Sequence, residues 1–207
     1  MATSLVDRLL TSILRHPAAL AVKGAVRDGW WTLRGPRLTN PPVPAELRSL
    51  LFVCKGNICR SPFAERLTAR LAAEAGQPIR CISAGFGATR DASSPDAAQD
   101  AARAFGVSLA DHRAQPLTAA LMAGADLVVV NEWEHVERLR AAYPAQAARV
   151  FLLPLVAADA ARGRGYRRFN IADPYGHPVA VFDACYRYID DALRALLTAG
   201  PARRPEA

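Results

Sequence analysis

Residues 49–63 read Ser-Leu-Leu-Phe-Val-Cys-Lys-Gly-Asn-Ile-Cys-Arg-Ser-Pro-Phe and predict a strand, a loop and the start of a helix. The apolar run at 50–53 is typical of a buried strand. Ser61-Pro62 favours a helix N-terminus, because serine caps helices and proline suits their first turn. Such a loop gathers unpaired backbone N–H groups beside the positive end of the helix dipole. An anion site is therefore predicted between the first strand and the first helix.

The loop carries a nucleophile and a cation, Cys54 and Arg60, with the permissive residues Gly56 and Asn57 between them. Thiolate is the reactive form of cysteine, and helix N-termini and neighbouring cations favour it. The planar guanidinium of arginine binds two phosphate oxygens at once. Together these groups indicate an enzyme that attacks phosphorus. The loop is not a nucleotide site of the Walker type, since no Gly-Lys-Ser/Thr follows it.

The run from Cys54 to Pro62 resembles the signature of the low-molecular-weight protein tyrosine phosphatases, and the resemblance covers about residues 48–198. It implies a four-stranded parallel sheet with the phosphate loop between the first strand and the first helix. The chain supports that fold independently, because strand-like and helix-like patterns alternate, which indicates an α/β fold with helices on both faces of the sheet. We predict strands at 50–53, 79–83, 126–130 and 150–153, and helices at 61–75, 95–105, 132–142 and 179–197.

Hydrolysis of a phosphate ester needs a proton donor for the leaving oxygen, and the candidate is Asp173. It lies in Ile-Ala-Asp-Pro-Tyr-Gly, where the following proline holds it extended, and it resembles the family's general acid. The resemblance implies that Cys54 forms a phosphocysteine while Arg60 binds the phosphate. Asp173 then protonates the phenol and later activates water. Further substrate contacts are expected from Lys55, Gly56, Asn57, Ile58, Cys59 and Tyr175.

Three more polar residues match family positions that support the loop: Ser61, Ser83 and His112. Ser61 would also donate a hydrogen bond to the thiolate, and the other two would brace Asn57 from behind. Each of the three could instead be an ordinary capping or buried polar residue. Neither a metal nor a cofactor is expected, since no cluster with ligand spacing is present.

The four cysteines do not form the pattern of a disulfide framework, which fits a reducing cytoplasm. Cys59 matches the family's second loop cysteine, which implies a reversible disulfide with Cys54; a small buried residue is the open alternative. Cys81 and Cys185 are predicted to be core residues.

Some residues depart from the family pattern. Thr89 stands where many members have an aromatic wall, so one side of the phosphotyrosine slot is open or is rebuilt from Phe86. Lys55 replaces a commonly apolar residue and adds charge at the mouth, and Asn131 replaces a frequent methionine. Tyr175 matches the aromatic residue after Asp-Pro and could stack on the substrate ring.

Residues 1–45 are predicted to be an extension to a phosphatase-like domain at 46–200, with a short tail at 201–207. Helical spacing is shown by Leu5, Val6, Leu9, Leu10, Ile13 and Leu14. A second helical piece at 18–26 and a stiff Pro-rich linker at 40–44 follow. Six Lys/Arg and two Asp make the extension basic, which favours an anionic membrane surface or a kinase partner. The alternatives are packing on the domain, with Trp30 and Trp31 covering its edge, and a transit peptide.

The net charge of +7 favours acidic partners, and a phosphotyrosine protein is the expected one. No recognisable nucleic-acid module is present, so nucleic acid is not expected. The sequence has no run of eighteen apolar residues, so no membrane span is predicted. The expected location is the cytoplasm, with a position peripheral to the inner membrane as an added hypothesis. An arginine-rich loop at 162–169 could recruit acidic phosphopeptides or be a solvated surface loop.

Three other functions remain open. Arginine phosphatases of the family place Thr where this chain has Ile58, which favours phosphotyrosine here. Arsenate reductases of this fold need further cysteines after the third strand, and residues 131–149 contain none. The third alternative is a phosphate-binding module without turnover, against which Cys54, Arg60 and Asp173 argue. Bacterial relatives often reverse tyrosine autokinases that control polysaccharide export, and that substrate is the hypothesis for this chain.

Overall fold

The computed structural model describes residues 17–34, 38–77, 79–157 and 165–199. Its backbone contacts divide the chain into two units, Met1–Leu38 with Arg164–Tyr166, and Thr39–Gly163 with Arg167–Ala207. The domain limits predicted at 45 and 200 stay predictions, and the predicted tail lies outside the described residues.

The larger unit is built on a parallel sheet. Its strands are β1 (Ser49–Cys54), β2 (Arg80–Gly85), β3 (Leu127–Val130) and β4 (Val150–Leu152), in the order β2-β1-β3-β4. Strand β1 is buried along its whole length, and its Leu51 lies opposite Ile82 on one side and Val128 on the other. A strand buried on both faces has a continuous apolar sequence, which is why residues 50–53 could be recognised. The predicted four-stranded parallel α/β fold is confirmed.

The described helices are α1 (Pro17–Arg34), α2 (Arg60–Glu74), α3 (Asp96–Arg103), α4 (Ala119–Ala123), α5 (Trp133–Ala142), α6 (Tyr166–Phe169) and α7 (Val179–Ala199). Short 3-10 segments, Pro144–Arg149 and Leu153–Leu155, flank β4. The four helices predicted after residue 60 are present. The sequence missed α4, and the loop predicted at 166–169 is wrong, because α6 occupies it. Helices of four or five residues are too short to show a helical period. Arg162 and Arg164 of that predicted loop lie outside the described residues.

Helices α2 and α7 cover one face of the sheet and anchor the loop after β1. Phe63 of α2 and Tyr186 of α7 stack with ring centroids 3.8 Å apart and planes 3° from parallel. Both rings belong to the core that Leu50 and Phe52 of β1 enter from the sheet. The Tyr186 hydroxyl donates to the carbonyl of Cys59 at 3.2 Å, so the core is tied directly to the loop.

The outer edge of the sheet at β4 is covered by a side chain from the predicted linker. Asn40 donates to the carbonyl of Leu152 at 3.0 Å and accepts its N–H at 2.7 Å. An exposed strand edge otherwise presents unpaired backbone groups to other chains. Residues 40–44 therefore contribute to the larger unit, which is consistent with the packing of Val43 against the core.

Helix α1 runs unbroken from Pro17, so the helical piece predicted at 18–26 extends to Arg34. Trp31 is buried in its own unit, with its ring centroid 5.9 Å from that of Tyr166, whereas Trp30 is about half exposed. The helix predicted from Leu5 to Leu14 lies outside the described residues. Among the residues described, no helix is both long enough and apolar enough to cross a membrane.

Candidate active site

The loop at 55–59 begins where β1 ends, directly after the predicted nucleophile. Cys54 is the last residue of β1 and is almost fully buried. Its Sγ accepts the backbone N–H of Asn57 at 3.3 Å and lies 3.0 Å from Oγ of Ser61, which is in the first turn of α2. Polar groups from the loop and from α2 therefore meet at the sulfur.

Asn57 holds the loop in shape. It is buried with φ of 54°, a left-handed conformation that asparagine tolerates better than most residues. Its Nδ2 donates to Oγ of Ser61 at 2.9 Å and to Oγ of Ser83 at 2.8 Å, and its Oδ1 accepts the N–H of Gln115 at 2.8 Å. Nε2 of His112 lies 2.6 Å from the Asn57 carbonyl oxygen, so this nitrogen carries the hydrogen. The structure thus brings all three predicted supporting residues to the loop.

The direction of these hydrogen bonds has a consequence for the nucleophile. Both amide hydrogens of Asn57 go to serine hydroxyls, so each hydroxyl acts as acceptor there and keeps its own proton to donate elsewhere. Ser83 gives its proton to the carboxylate of Glu65. The proton of Ser61 has two possible acceptors, the sulfur of Cys54 at 3.0 Å and the carbonyl oxygen of Ala84 at 3.5 Å, so its donation to the sulfur stays a prediction.

Other donors of the loop are free to meet an anion. Across the described residues, no protein acceptor takes the backbone N–H groups of Gly56, Ile58 and Cys59. Nε of the buried Arg60 likewise has no hydrogen-bond partner. Cys59 and Arg60 are buried, and an unpaired buried donor is costly in a folded protein and needs an explanation. A bound phosphate, with its several acceptor oxygens, supplies one.

Arg60 is held by two carboxylates and a carbonyl. Its Nη1 donates to the carboxylate of Glu132 and, at 2.8 Å, to the carbonyl of Ile171, while its Nη2 lies 2.8 Å from Oδ2 of Asp173. Burial disfavours the cation, but Cys54, Glu132 and Asp173 outweigh burial and raise the pKa of Arg60 above its ordinary value. Arg60 is therefore a permanent cation.

Asp173 reaches the site from the segment before α7. Its Oδ1 accepts the N–H of Tyr175 at 3.2 Å, and its side chain is 37% exposed. The structure thus places the predicted acid beside Arg60. The Tyr175 side chain is mostly exposed, and its stacking on a substrate stays a prediction.

All four cysteines are free thiols. Burial, followed by the charge of Cys54, raises the pKa of Cys59 far above its usual range. Burial also raises the pKa values of Cys81 and Cys185 to about 12. These three thiols thus resist the reactive thiolate form at neutral pH. The Cys54–Cys59 disulfide stays a prediction.

Gly85 allows the end of β2 to approach the loop closely. A Cβ at this position would lie 2.9 Å from the backbone nitrogen of Asn57 and 2.9 Å from the carbonyl oxygen of Lys55. Both are backbone atoms, so the loop itself has to shift when a side chain is added.

We therefore expect Gly85→Ala to lower kcat/KM for a phosphotyrosine peptide by about 10- to 100-fold, since small misplacements of a site cost that much. Gly87→Ala is the matched control, because a Cβ there meets only the carbonyl oxygen of Lys55, at 4.0 Å. Steady-state kinetics and chemical denaturation of both variants check the prediction. Equal activity in the two variants would contradict it.

His135 of α5 is buried near the same cluster. Burial, with Arg60 adding to it, lowers the pKa of His135 to about 3. In the unfolded chain a histidine titrates near 6.5, so on acidification the unfolded state takes up a proton that the folded state resists. The free energy of unfolding should therefore fall as the pH drops from about 6.5 towards 3.

We expect His135→Gln to reduce this loss of stability by up to about 1.4 kcal/mol per pH unit below 6.5. Denaturant unfolding of wild type and variant at neutral pH and at pH 5 measures the effect. The carboxylates contribute equally to both proteins, so the difference between the two curves isolates His135. Parallel curves would contradict a neutral buried imidazole.

Sequence reasoning missed four residues of the site, Glu65, Gln115, Glu132 and His135. Glu132 could have been suspected, because it lies just beyond the carboxyl end of β3, at the sheet edge where ligands bind in α/β folds. The others act on groups far along the chain, and no local pattern points to them.

Comparisons with known proteins agree with the fold and with the arrangement of the phosphate loop. The family model of the low molecular weight phosphotyrosine protein phosphatases matches residues 49–203. The chain belongs to that family. The predicted family and the predicted enzyme class, a cysteine-dependent protein tyrosine phosphatase, are confirmed.

Individual members of the phosphatase family are similar over nearly their whole length. The probable low molecular weight protein-tyrosine-phosphatase AmsI of Erwinia amylovora is 35% identical over 154 residues, which are 74% of this chain and 97% of AmsI. The crystal structure of the AmsI tyrosine phosphatase superposes with a TM-score of 0.65 at 32% identity, covering 75% and 95% of the two chains. The arginine phosphatase YwlE of Geobacillus stearothermophilus superposes with a TM-score of 0.62 at 26% identity, covering 73% and 91%.

Proposed function

We propose that Cys54 is the nucleophile with which this phosphatase hydrolyses phosphotyrosine in proteins. The observation that carries the proposal is the position of its sulfur, beside the N–H of Asn57 and the hydroxyl of Ser61, at the start of the loop with the unpaired N–H groups. Attack forms an S–P bond and breaks the bond from phosphorus to the phenolic oxygen. Splitting the reaction in this way replaces one difficult step by two easier ones.

Asp173 supplies and recovers the proton. It protonates the departing phenolic oxygen, and as a carboxylate it then takes a proton from the water that attacks phosphocysteine. Hydrolysis breaks the S–P bond, releases phosphate and restores the thiolate. Arg60 and the free N–H groups of the loop bind the equatorial oxygens, whose charge they stabilise in both transition states.

The depth of the nucleophile predicts which phosphorylated residue fits. Because Cys54 is buried, the phosphate has to stand at the end of a long side chain. Tyrosine and arginine are long enough, whereas serine brings the substrate backbone against the rim. The partly buried Ile58, where arginine phosphatases carry Thr, favours tyrosine over arginine.

Phosphate release from peptides of one sequence that carry phosphotyrosine, phosphoarginine or phosphoserine tests this function. We expect the phosphotyrosine peptide to react fastest and the phosphoserine peptide to stay at background. Faster release of phosphate from the phosphoarginine peptide would instead indicate an arginine phosphatase, as YwlE is. Equal slow release by wild type and Cys54→Ser would indicate a binding module.

We further propose that helix α1 holds the enzyme on an anionic membrane at the cytoplasmic face. Four apolar side chains of α1 are between 49% and 79% exposed and recur at helical spacing: Val22, Val26, Trp30 and Leu33. The surrounding segment at 1–45 carries six Lys/Arg against two Asp. An exposed apolar stripe on a basic segment is the pattern of an interfacial helix. A membrane-bound tyrosine autokinase, the substrate that the family resemblance implies, would share that surface.

Co-sedimentation with vesicles tests the membrane proposal. We expect the full chain to pellet with vesicles that contain anionic lipid and not with zwitterionic ones, and Val22→Ser/Val26→Ser to weaken pelleting. The matched control is Val179→Ser/Val181→Ser, which makes the same change at two exposed valines of α7. Equal pelleting of the two double variants would contradict a membrane role for α1.

A further inference from the structure

An aromatic ring is fixed at the rim of the active site by backbone hydrogen bonds. The N–H of Phe86 donates to the carbonyl of Cys54 at 3.1 Å, and the N–H of Gly87 donates to that of Lys55 at 2.9 Å. These bonds join the residues after β2 to the start of the phosphate loop. The position of Phe86 is therefore set by the same backbone that carries the nucleophile, whereas Thr89, at the position of the family's usual aromatic, is exposed.

The Phe86 ring is covered by two side chains of α5. The His135 ring lies with its centroid 5.2 Å away and its plane tilted by 41°, and the guanidinium carbon of Arg138 lies 4.6 Å from the Phe86 centroid. Nε2 of His135 lies 3.8 Å from the carboxylate of Glu132, which pairs with Arg60, so the His135 ring connects the Phe86 ring to the phosphate site. Arg138 is exposed and adds a positive charge to this wall.

A second cation near this ring belongs to the phosphate loop itself. Lys55 is exposed, follows the nucleophile directly, and has its carbonyl bound to Gly87. In the part of the chain that the structure describes, neither Lys55 nor Arg138 has a carboxylate partner. The nearby site carboxylate of Asp173 is engaged with Arg60 instead. Lys55, which follows the nucleophile, and Arg138, which lies over the Phe86 ring, thus add two exposed positive charges near the phosphate loop.

We infer that Lys55 and Arg138 determine specificity by selecting phosphotyrosine that is flanked by Asp or Glu. The inference rests on the proposed function and names the substrate class of that same site. With the phosphate in the loop and the tyrosine ring against Phe86, the flanking residues of the peptide pass over the rim. Acidic side chains there meet both cations, while basic side chains meet repulsion. The preference comes from electrostatic attraction between exposed charges, so it weakens in high salt.

Two phosphotyrosine peptides that differ only in their flanking residues, acidic in one and neutral in the other, test the inference with the full chain. We expect wild type to prefer the acidic peptide in kcat/KM by up to about tenfold at low salt, with the difference carried by KM. Arg138→Gln and Lys55→Gln should each reduce that preference by about threefold, the range that one exposed ion pair provides. In molar salt the preference should disappear.

Arg140→Gln is the matched control, because it removes the same charge from the same helix two residues on, where the side chain lies over Trp133 instead. It should leave the ratio between the peptides unchanged. Equal kcat/KM for the two peptides, or an equal loss of preference in Arg138→Gln and Arg140→Gln, overturns the inference. Phenyl phosphate separates the two proposals. If wild type hydrolyses it but shows no peptide preference, only the inference fails, and if wild type hydrolyses neither it nor the peptides, the proposed function fails too.

Discussion

Replacing Cys54 by serine is expected to lower kcat/KM for a phosphotyrosine peptide by on the order of 10⁴-fold or more. A serine oxygen in the place of Sγ would receive the same N–H of Asn57 and lie near the same hydroxyl of Ser61. Those contacts do not make it an effective nucleophile, because a hydroxyl oxygen is a much weaker nucleophile towards phosphorus than cysteine sulfur. The loop itself should survive, since the Asn57 bonds to Ser83 and Gln115 do not involve sulfur.

Cys81→Ser is the matched control for this prediction, because it makes the same atomic change in β2, outside the loop. Steady-state rates measure the loss. Mass spectrometry of the acid-quenched wild type should show one added phosphoryl group that is absent from Cys54→Ser. Retention of more than about a hundredth of the wild-type rate by Cys54→Ser would rule out the sulfur as nucleophile.

The second large effect is expected from Asp173→Asn, and it should depend on the leaving group. An amide keeps the acceptor for the N–H of Tyr175 but has no proton to give to a phenolate. For phenyl phosphate, whose leaving group is basic, kcat/KM should fall by about 10²- to 10³-fold, the usual contribution of a general acid. For 4-nitrophenyl phosphate, whose leaving group departs without a proton, the loss should be much smaller.

Glu132→Gln provides the comparison that separates proton donation from charge. Both substitutions remove one negative charge beside Arg60. Glu132 touches the guanidinium and is mostly covered, so its loss misplaces Arg60 for every substrate. We expect Glu132→Gln to reduce kcat/KM for the two aryl phosphates by the same factor. If Asp173→Asn also reduced kcat/KM for both aryl phosphates by the same factor, Asp173 would be a positioning residue and not the general acid.

The covalent centre could be predicted because it is contiguous in sequence. Cys54 and Arg60 lie at the two ends of one short loop, and the strand and the helix to which they belong carry their own local signals. Asp173 is different: a proton donor was required by the chemistry, but only the family resemblance selected this carboxylate. Its distance from the loop along the chain leaves no periodic pattern that would connect them.

Glu132 and Glu65 could not be predicted, because each acts through a contact made by the folded chain. Glu132 pairs with an arginine 72 residues away, and Glu65 accepts from a serine 18 residues away in another element. In sequence neither stands out, since Glu65 lies within α2 and Glu132 directly precedes α5. The short helix α6 was mistaken for a loop for a related reason, since a single turn contains too few residues to reveal its period.

Strand β1 is enclosed by β2 and β3, whereas Asp173 comes from a segment outside the sheet. A central buried strand opens only with the whole domain, but a peripheral segment can open by itself. The nucleophile therefore lies on a more rigid part of the domain than the proposed proton donor. Amides of β1 should exchange with deuterium on the timescale of global unfolding, while those around residue 173 exchange sooner. The segment that carries Asp173 can therefore move during turnover while the sulfur of Cys54 stays in place.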